Sequence, residues 1–187
     1  MASFAVLLRA VNVGPGLRVT SADLLGAADA AGLGAARTLM NSGNLVATPG
    51  TSGATGPADV AGLVRDRLHE RIGQDVPAVG LSGAQLDAIA RANPFTGAAR
   101  DDPSRLQVHV PFGELDEAGI ARLDLGHPGR EMLATGAGVL YVHYVDGIGR
   151  SKLTPKVIDK AAGAATTARN WNTITKLRTA CAALEST

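Results

Sequence analysis

The sequence predicts an α+β fold: two tandem ferredoxin-like (split βαβ) units with a C-terminal helix. Three observations predict it. The order β-α-β-β-α-β reads once through residues 1–81 and starts again after residue 103; a polar, turn-rich stretch, NPFTGAARDDPS, separates the two readings; and the opening strand is apolar on both faces. The expected organisation is an N-terminal α+β unit over residues 1–81, a connecting helix and linker over 82–103, and a C-terminal α+β unit with the final helix over 104–187. With 187 residues and 45% apolar content, the chain can build either one ample core or two small ones.

The elements follow from local pattern. SFAVLLRAV is a nearly continuous apolar run with β-branched residues, the mark of a strand covered on both sides. NVGPGLRV is a loop punctuated by Gly14, Pro15 and Gly16, after which Thr20 or Ser21 caps a helix with Leu24, Leu25, Ala28 and Ala31 on one stripe and Gly32 as its stop. ARTLM, NSGN and LVATP read as a hairpin. Pro57 suits a first helical position, and Val60, Leu63, Val64, Leu68 and Ile72 repeat at helical spacing ahead of a short strand, VPAVGLS. SGAQLDAIARA is the connecting helix. In the second reading RLQVHVPF is a strand, ELDEAGIARLD a helix, and REMLATG with GVLYVHYVD a hairpin. TPKVIDKAAG is a helix capped by Thr154, and ATTA a short extended piece. Taken as central strands, RLQVHVPF and GVLYVHYVD would place Gln107, His109, Tyr141 and His143 on one face.

The bulk chemistry excludes several classes. A net charge of +1 lacks the basic excess of a dedicated nucleic-acid coater. The charge is unevenly placed: residues 146–187 hold seven basic and three acidic residues, a net of +4, the rest of the chain is −3, and all four lysines fall between 152 and 176. The run FAVLL ends at Arg9 with no basic leader, so neither a secretory leader nor a spanning helix is expected, no membrane role follows, and the expected location is cytoplasmic. Cys181, the single cysteine, reads as a small buried hydrophobe of a reducing compartment. His69, His109, His127 and His143 show no metal-ligand spacing, and no nucleophile signature or cofactor motif is legible. NVGPG lacks the third glycine of a dinucleotide fingerprint, and DGIGRSKLTP lacks the spacing of a phosphate-binding P-loop.

Two clusters hold the remaining chemistry. In ARNWNTITKL, Trp171, Ile174, Leu177, Cys181 and Leu184 form one helical stripe with the tryptophan directed to the core, and Asn170 is the expected cap, accepting from the amide of Asn172 or Thr173. Arg169, Asn172 and Lys176 are not needed for that, and a helix start favours anions. In DGIGRSKL, Gly147 and Gly149 precede Arg150, Ser151 and Lys152 just before another helix start.

Five motifs, FAVLLRAVNVG, RTLMNSGNLV, NPF, DGIGRSKL and TTARNWNTITKL, together resemble the bacterial domain-of-unknown-function 1697 family, the last two being the most specific. The resemblance spans nearly the whole chain and implies a two-part α+β protein; it brings no established activity. The chain departs from the family pattern at Ala10, where a glycine is usual, and at GPG, where a paired glycine is usual. Leu39 or Met40 stands where the family carries an aromatic.

These readings lead to one expectation: that Arg9, Asn12, Ser42, Asn44, Arg150, Lys152, Arg169, Asn170, Asn172 and Lys176 gather in a polar cleft between the two units and bind a small anionic, phosphate-containing ligand. Such groups make good oxyanion donors but supply no base or nucleophile. The alternatives are single-stranded nucleic-acid binding on the second sheet through His109, Tyr141 and His143, which 3% aromatic content disfavours, and a structural or oligomeric module in which the Arg/Asn/Trp cluster locks the final helix to its sheet. Oligomeric state is not legible.

Overall fold

The structure, a computed structural model, describes residues 2–12, 16–40 and 43–186. The chain divides into two compact units, residues 1–87 with 176–187 and residues 88–175.

In the first unit β1 (Phe4–Leu8) pairs antiparallel with β3 (Asn44–Thr48) on one side and β4 (Ala78–Ser82) on the other, and β2 (Gly34–Thr38) adds to β3. The order is β2-β3-β1-β4, that of a split βαβ unit. Helices α1 (Ser21–Ala30) and α2 (Pro57–Ile72) cover one face, where Phe4, Val6 and Leu8 pack in a core with Leu24, Val60 and Leu68. Ala5, Leu7 and Val46, on the opposite face, are also wholly buried, as an apolar strand without alternation demands. Ser3 Oγ donates to Glu185 Oε1 at 2.8 Å, which fixes the chain's last helix at the start of β1.

Thr20 caps α1 through a reciprocal box: its hydroxyl accepts from the Asp23 amide at 3.0 Å while Asp23 Oδ2 accepts from the Thr20 amide at 3.1 Å. Leu25, expected on the buried stripe, is exposed instead, because Leu24 and Ala28 take the core-facing positions. Gly73, at φ +68, ends α2 in the left-handed region where a side chain would be strained.

The second unit repeats the plan. β5 (Leu106–Pro111) is central between β7 (Val139–His143) and β8 (Thr166–Asn170), and β6 (Met132–Gly136) pairs with β7, giving β6-β7-β5-β8. α5 (Glu117–Gly126) and α6 (Pro155–Ala162) bury Ile120, Ile158 and Ala162 against Leu140, Val142 and Tyr144. Thr154 caps α6 as expected, accepting from the Val157 amide.

Three expectations need correction here. The stretch read as a turn-rich linker contains a short helix, α4 (Thr96–Asp101), preceded by an Asx turn in which Asn93 Oδ1 accepts from the Phe95 amide at 2.9 Å. The final helix α7 (Trp171–Glu185) does not belong wholly to the second unit, for the division falls inside it and inside α3 (Gly83–Ala92). Along α7, Ile174, Leu177, Cys181 and Leu184 are buried, each large side chain contributing about 1.5–3 kcal/mol. Trp171 is only partly buried and is not the core anchor its spacing implied.

Candidate functional site

Five of the ten expected site residues belong to the first unit. Ser42 lies outside the described residues. Asn12 sits at φ +58, where asparagine is among the best-tolerated side chains, and its amide works as a piece of backbone. Its Nδ2 donates to the Val19 carbonyl at 3.0 Å, and its Oδ1 accepts from the Val19 amide at 3.1 Å, which closes the loop leading into α1. Asn44 is fully buried and donates through Nδ2 to the Leu39 carbonyl at 3.0 Å, while its own carbonyl accepts from the Leu39 amide at 3.0 Å, so that it staples the β2–β3 hairpin. Both asparagines line one cavity of about 430 Å³ with Arg18, Thr38, Met40 and the first turn of α1. Lys176 Nζ lies 3.6 Å from Met40 Sδ. The Arg9 backbone is tied to Pro77 at 2.8 Å, and Arg9 does not line this cavity.

In the second unit Arg150 and Lys152 line a cavity of about 270 Å³ built by residues 127–131 and 146–153. Gly147, at φ +88, turns the chain out of β7, and Ile148–Arg150 forms a single 3-10 turn. The charges around this cavity differ in how they are spent. Arg130 pairs with Asp146 at 3.0 Å, and His127 Nε2 faces Glu131 Oε2 at 3.4 Å with both side chains about nine-tenths buried. The Ser151 hydroxyl, and after it the backbone amide and His127, hold the Glu131 carboxyl below its ordinary range against the opposing effect of burial. Among the described residues, the Arg150 and Lys152 side chains, both exposed, have no ion-pair or hydrogen-bond partner.

Arg169, Asn170 and Asn172 line neither cavity. Arg169 is buried on β8, where it donates to Thr167 Oγ1 at 2.9 Å and to the Ala168 carbonyl at 2.8 Å, and burial lowers its guanidinium pKa to about 10. Asn170 caps α7, accepting at Oδ1 from the Thr173 amide at 3.0 Å and the Thr173 hydroxyl at 2.9 Å. Asn172 is exposed on the first turn. Within the first unit Asn12 and Asn44 line one cavity, within the second Arg150 and Lys152 line another, and Asn170 and Asn172 stand at the start of α7.

The nucleic-acid platform expected on the second sheet is overturned by register. Gln107 lies opposite Val142 and His109 opposite Leu140, so both share the face covered by α5 and α6, whereas Tyr141 and His143 share the other face with Val108 and Leu106. Neither set is open for stacking. His109 and Tyr141 are buried, and the Tyr141 hydroxyl donates to the Ile89 carbonyl at 2.7 Å.

Sequence reasoning missed Arg18, Arg130, His127 and Glu131. The His127-x-x-x-Glu131 spacing was visible, but its pairing depends on a loop and not on a helix. Cys181 behaves as expected: it is buried, and burial pushes its thiol pKa up. No helix among the described residues is long and apolar enough to cross a membrane.

Two split βαβ sheets, each backed by two helices, define the molecule as a two-unit α+β protein. Its family is the one described as "Protein of unknown function (DUF1697)", whose profile matches residues 1–141 and to which the chain belongs. That span holds FAVLLRAVNVG, RTLMNSGNLV and NPF, while DGIGRSKL and TTARNWNTITKL lie beyond it. Among solved structures, the conserved bacterial protein SP0830 from Streptococcus pneumoniae is similar with a TM-score of 0.68 at 21% identity, over 95% of this chain and 97% of that one, a likeness of fold. No curated protein matches significantly.

Proposed function

We propose that this protein binds a small anionic, phosphate-containing ligand in the second unit, at the cavity between residues 127–131 and 146–153. One observation carries the reading. Of the cations around that cavity, Arg130 is spent on Asp146, while Arg150 and Lys152 have no side-chain partner among the described residues. Two cations without a side-chain partner at one opening attract an anion, and arginine adds the fork that matches a phosphate edge. The volume, about 270 Å³, suits a phosphate or a small phosphoester. His127 turns Nε2 toward Glu131 Oε2 at 3.4 Å and Nδ1 toward the Asp124 carbonyl at 3.3 Å, and the reading is one of binding.

Calorimetric titration with inorganic pyrophosphate tests this. Lys152→Ala and Arg150→Ala should each weaken binding about tenfold or more, the effect of losing one charge-assisted contact. Both residues are exposed, so the melting temperature of ligand-free protein should hardly change. No binding by the wild type, or equal binding by both variants, refutes the proposal.

A further inference from the structure

The cavity of the first unit has a different composition. Its wall carries Leu24, buried, and Met40, an apolar side chain that stays 54% exposed on a backbone at φ +58. An exposed thioether on a conformation that side chains seldom adopt is not accounted for by core packing. Beside it stand two cations. Lys176 Nζ lies 3.6 Å from the Met40 sulfur, and Arg18 lines the cavity with no side-chain partner among the described residues. Asp23, in the first turn of α1, is occupied by Thr20 and by Arg71 at 3.2 Å. The thioether is a good partner for the face or edge of an aromatic ring, and the cations call for an anion. At about 430 Å³ the space has room for both.

We propose that this cavity is a binding site for a heteroaromatic phosphate of nucleoside monophosphate size. The ring packs on Met40 and Leu24, and the phosphate is held by Arg18 and Lys176. The asparagines of the cavity bind its loops to each other and leave the ligand to the cations. The proposal is independent of the anion site in the second unit.

The test is calorimetry with adenosine monophosphate, adenosine and inorganic phosphate, made in the Arg150→Ala/Lys152→Ala background so that a phosphate site in the second unit does not contribute. The expected result is one nucleotide site, weakened about tenfold by Arg18→Ala and by Met40→Ser, with adenosine and inorganic phosphate each binding at least about tenfold more weakly than the nucleotide. Arg18 and Met40 are exposed, and an unchanged circular dichroism spectrum verifies that each variant folds. Amide chemical-shift changes on adding nucleotide should concentrate in residues 18–24, 38–40 and around 176. The proposal is overturned by absence of binding in this background, by unchanged affinity in Arg18→Ala or Met40→Ser, or by inorganic phosphate binding as tightly as the nucleotide.

Discussion

His109 makes stability depend on mildly acidic pH. It lies on β5 beneath α6, 6% exposed, and burial lowers its pKa from the ordinary 6.5 to about 4, with Asp159 opposing only in part. The Thr166 hydroxyl donates to Asp159 Oδ1 at 3.0 Å, so it can accept from His109 Nδ1 at 3.4 Å, and Nε2 is buried with no hydrogen-bond partner. The folded state therefore holds the ring neutral where the unfolded chain would protonate it. The sign follows: stability is full above pH 6.5, falls as pH drops below that value, and reaches its full loss below about pH 4. A depression of this size amounts to about 3 kcal/mol in all, of which about 2 kcal/mol is lost between pH 7 and pH 5. Urea unfolding at those two pH values, in wild type and His109→Gln, isolates the contribution because the other titrating groups are common to both. The wild type should lose about 2 kcal/mol more than the variant. Equal losses in the two proteins, or an imidazole resonance that titrates near 6.5 in the folded state, would refute the reasoning.

Three further outcomes can be checked by denaturant unfolding. Asn170→Ala removes the acceptor for two Thr173 donors at the start of α7 and should cost about 1–2 kcal/mol, whereas the exposed Asn172→Ala should cost less than about 0.5 kcal/mol. Gly80→Ala places a methyl group 1.9 Å from the Pro57 carbonyl oxygen, where β4 meets the first turn of α2, and should destabilise by about 1–3 kcal/mol with a lower melting temperature. Thr20→Ala opens the capping box of α1 at a cost of about 1 kcal/mol, seen as earlier hydrogen exchange in the first turn of that helix.

Much of the architecture was legible because its signals are local. The caps Thr20, Thr154 and Asn170, the Pro57 start and the hairpins depend on residues within a few positions of each other, and the doubled element order follows from them. What was not legible is set by pairing across the sheet. A strand's alternation separates its two faces but does not say which residue of the neighbour lies opposite, and the offset that puts Gln107 against Val142 moves His109 to the other side from Tyr141. The helix at Thr96–Asp101 was hidden for another reason: its six residues are too few to show a periodicity among glycine, aspartate and proline. At the candidate sites, the types of residue were visible, but which of them line a cavity depends on how the flanking loops fold.

Within each unit the roles of these residues follow the chemistry of their side chains. An asparagine amide both donates and accepts, so it can replace a missing stretch of backbone pairing, as Asn12 does with Val19 and Asn44 with the hairpin; the cations donate only, and Arg18, Arg150 and Lys152 stay at the openings. The distinction can be tested at Asn44, which is fully buried. Asn44→Asp keeps the shape but sets an acceptor against the Leu39 carbonyl, now 3.0 Å from the amide nitrogen, and the loss should be about 2 kcal/mol or more at pH 7. A buried carboxyl favours its neutral form, so its folded-state pKa is raised, and the folded protein binds the extra proton as pH falls. The deficit of this variant relative to wild type should therefore shrink from pH 7 to pH 5, opposite in sign to the effect of His109. A deficit of the same size at both pH values would mean that the substituted carboxyl has turned out to solvent with an ordinary pKa, and would refute the reasoning.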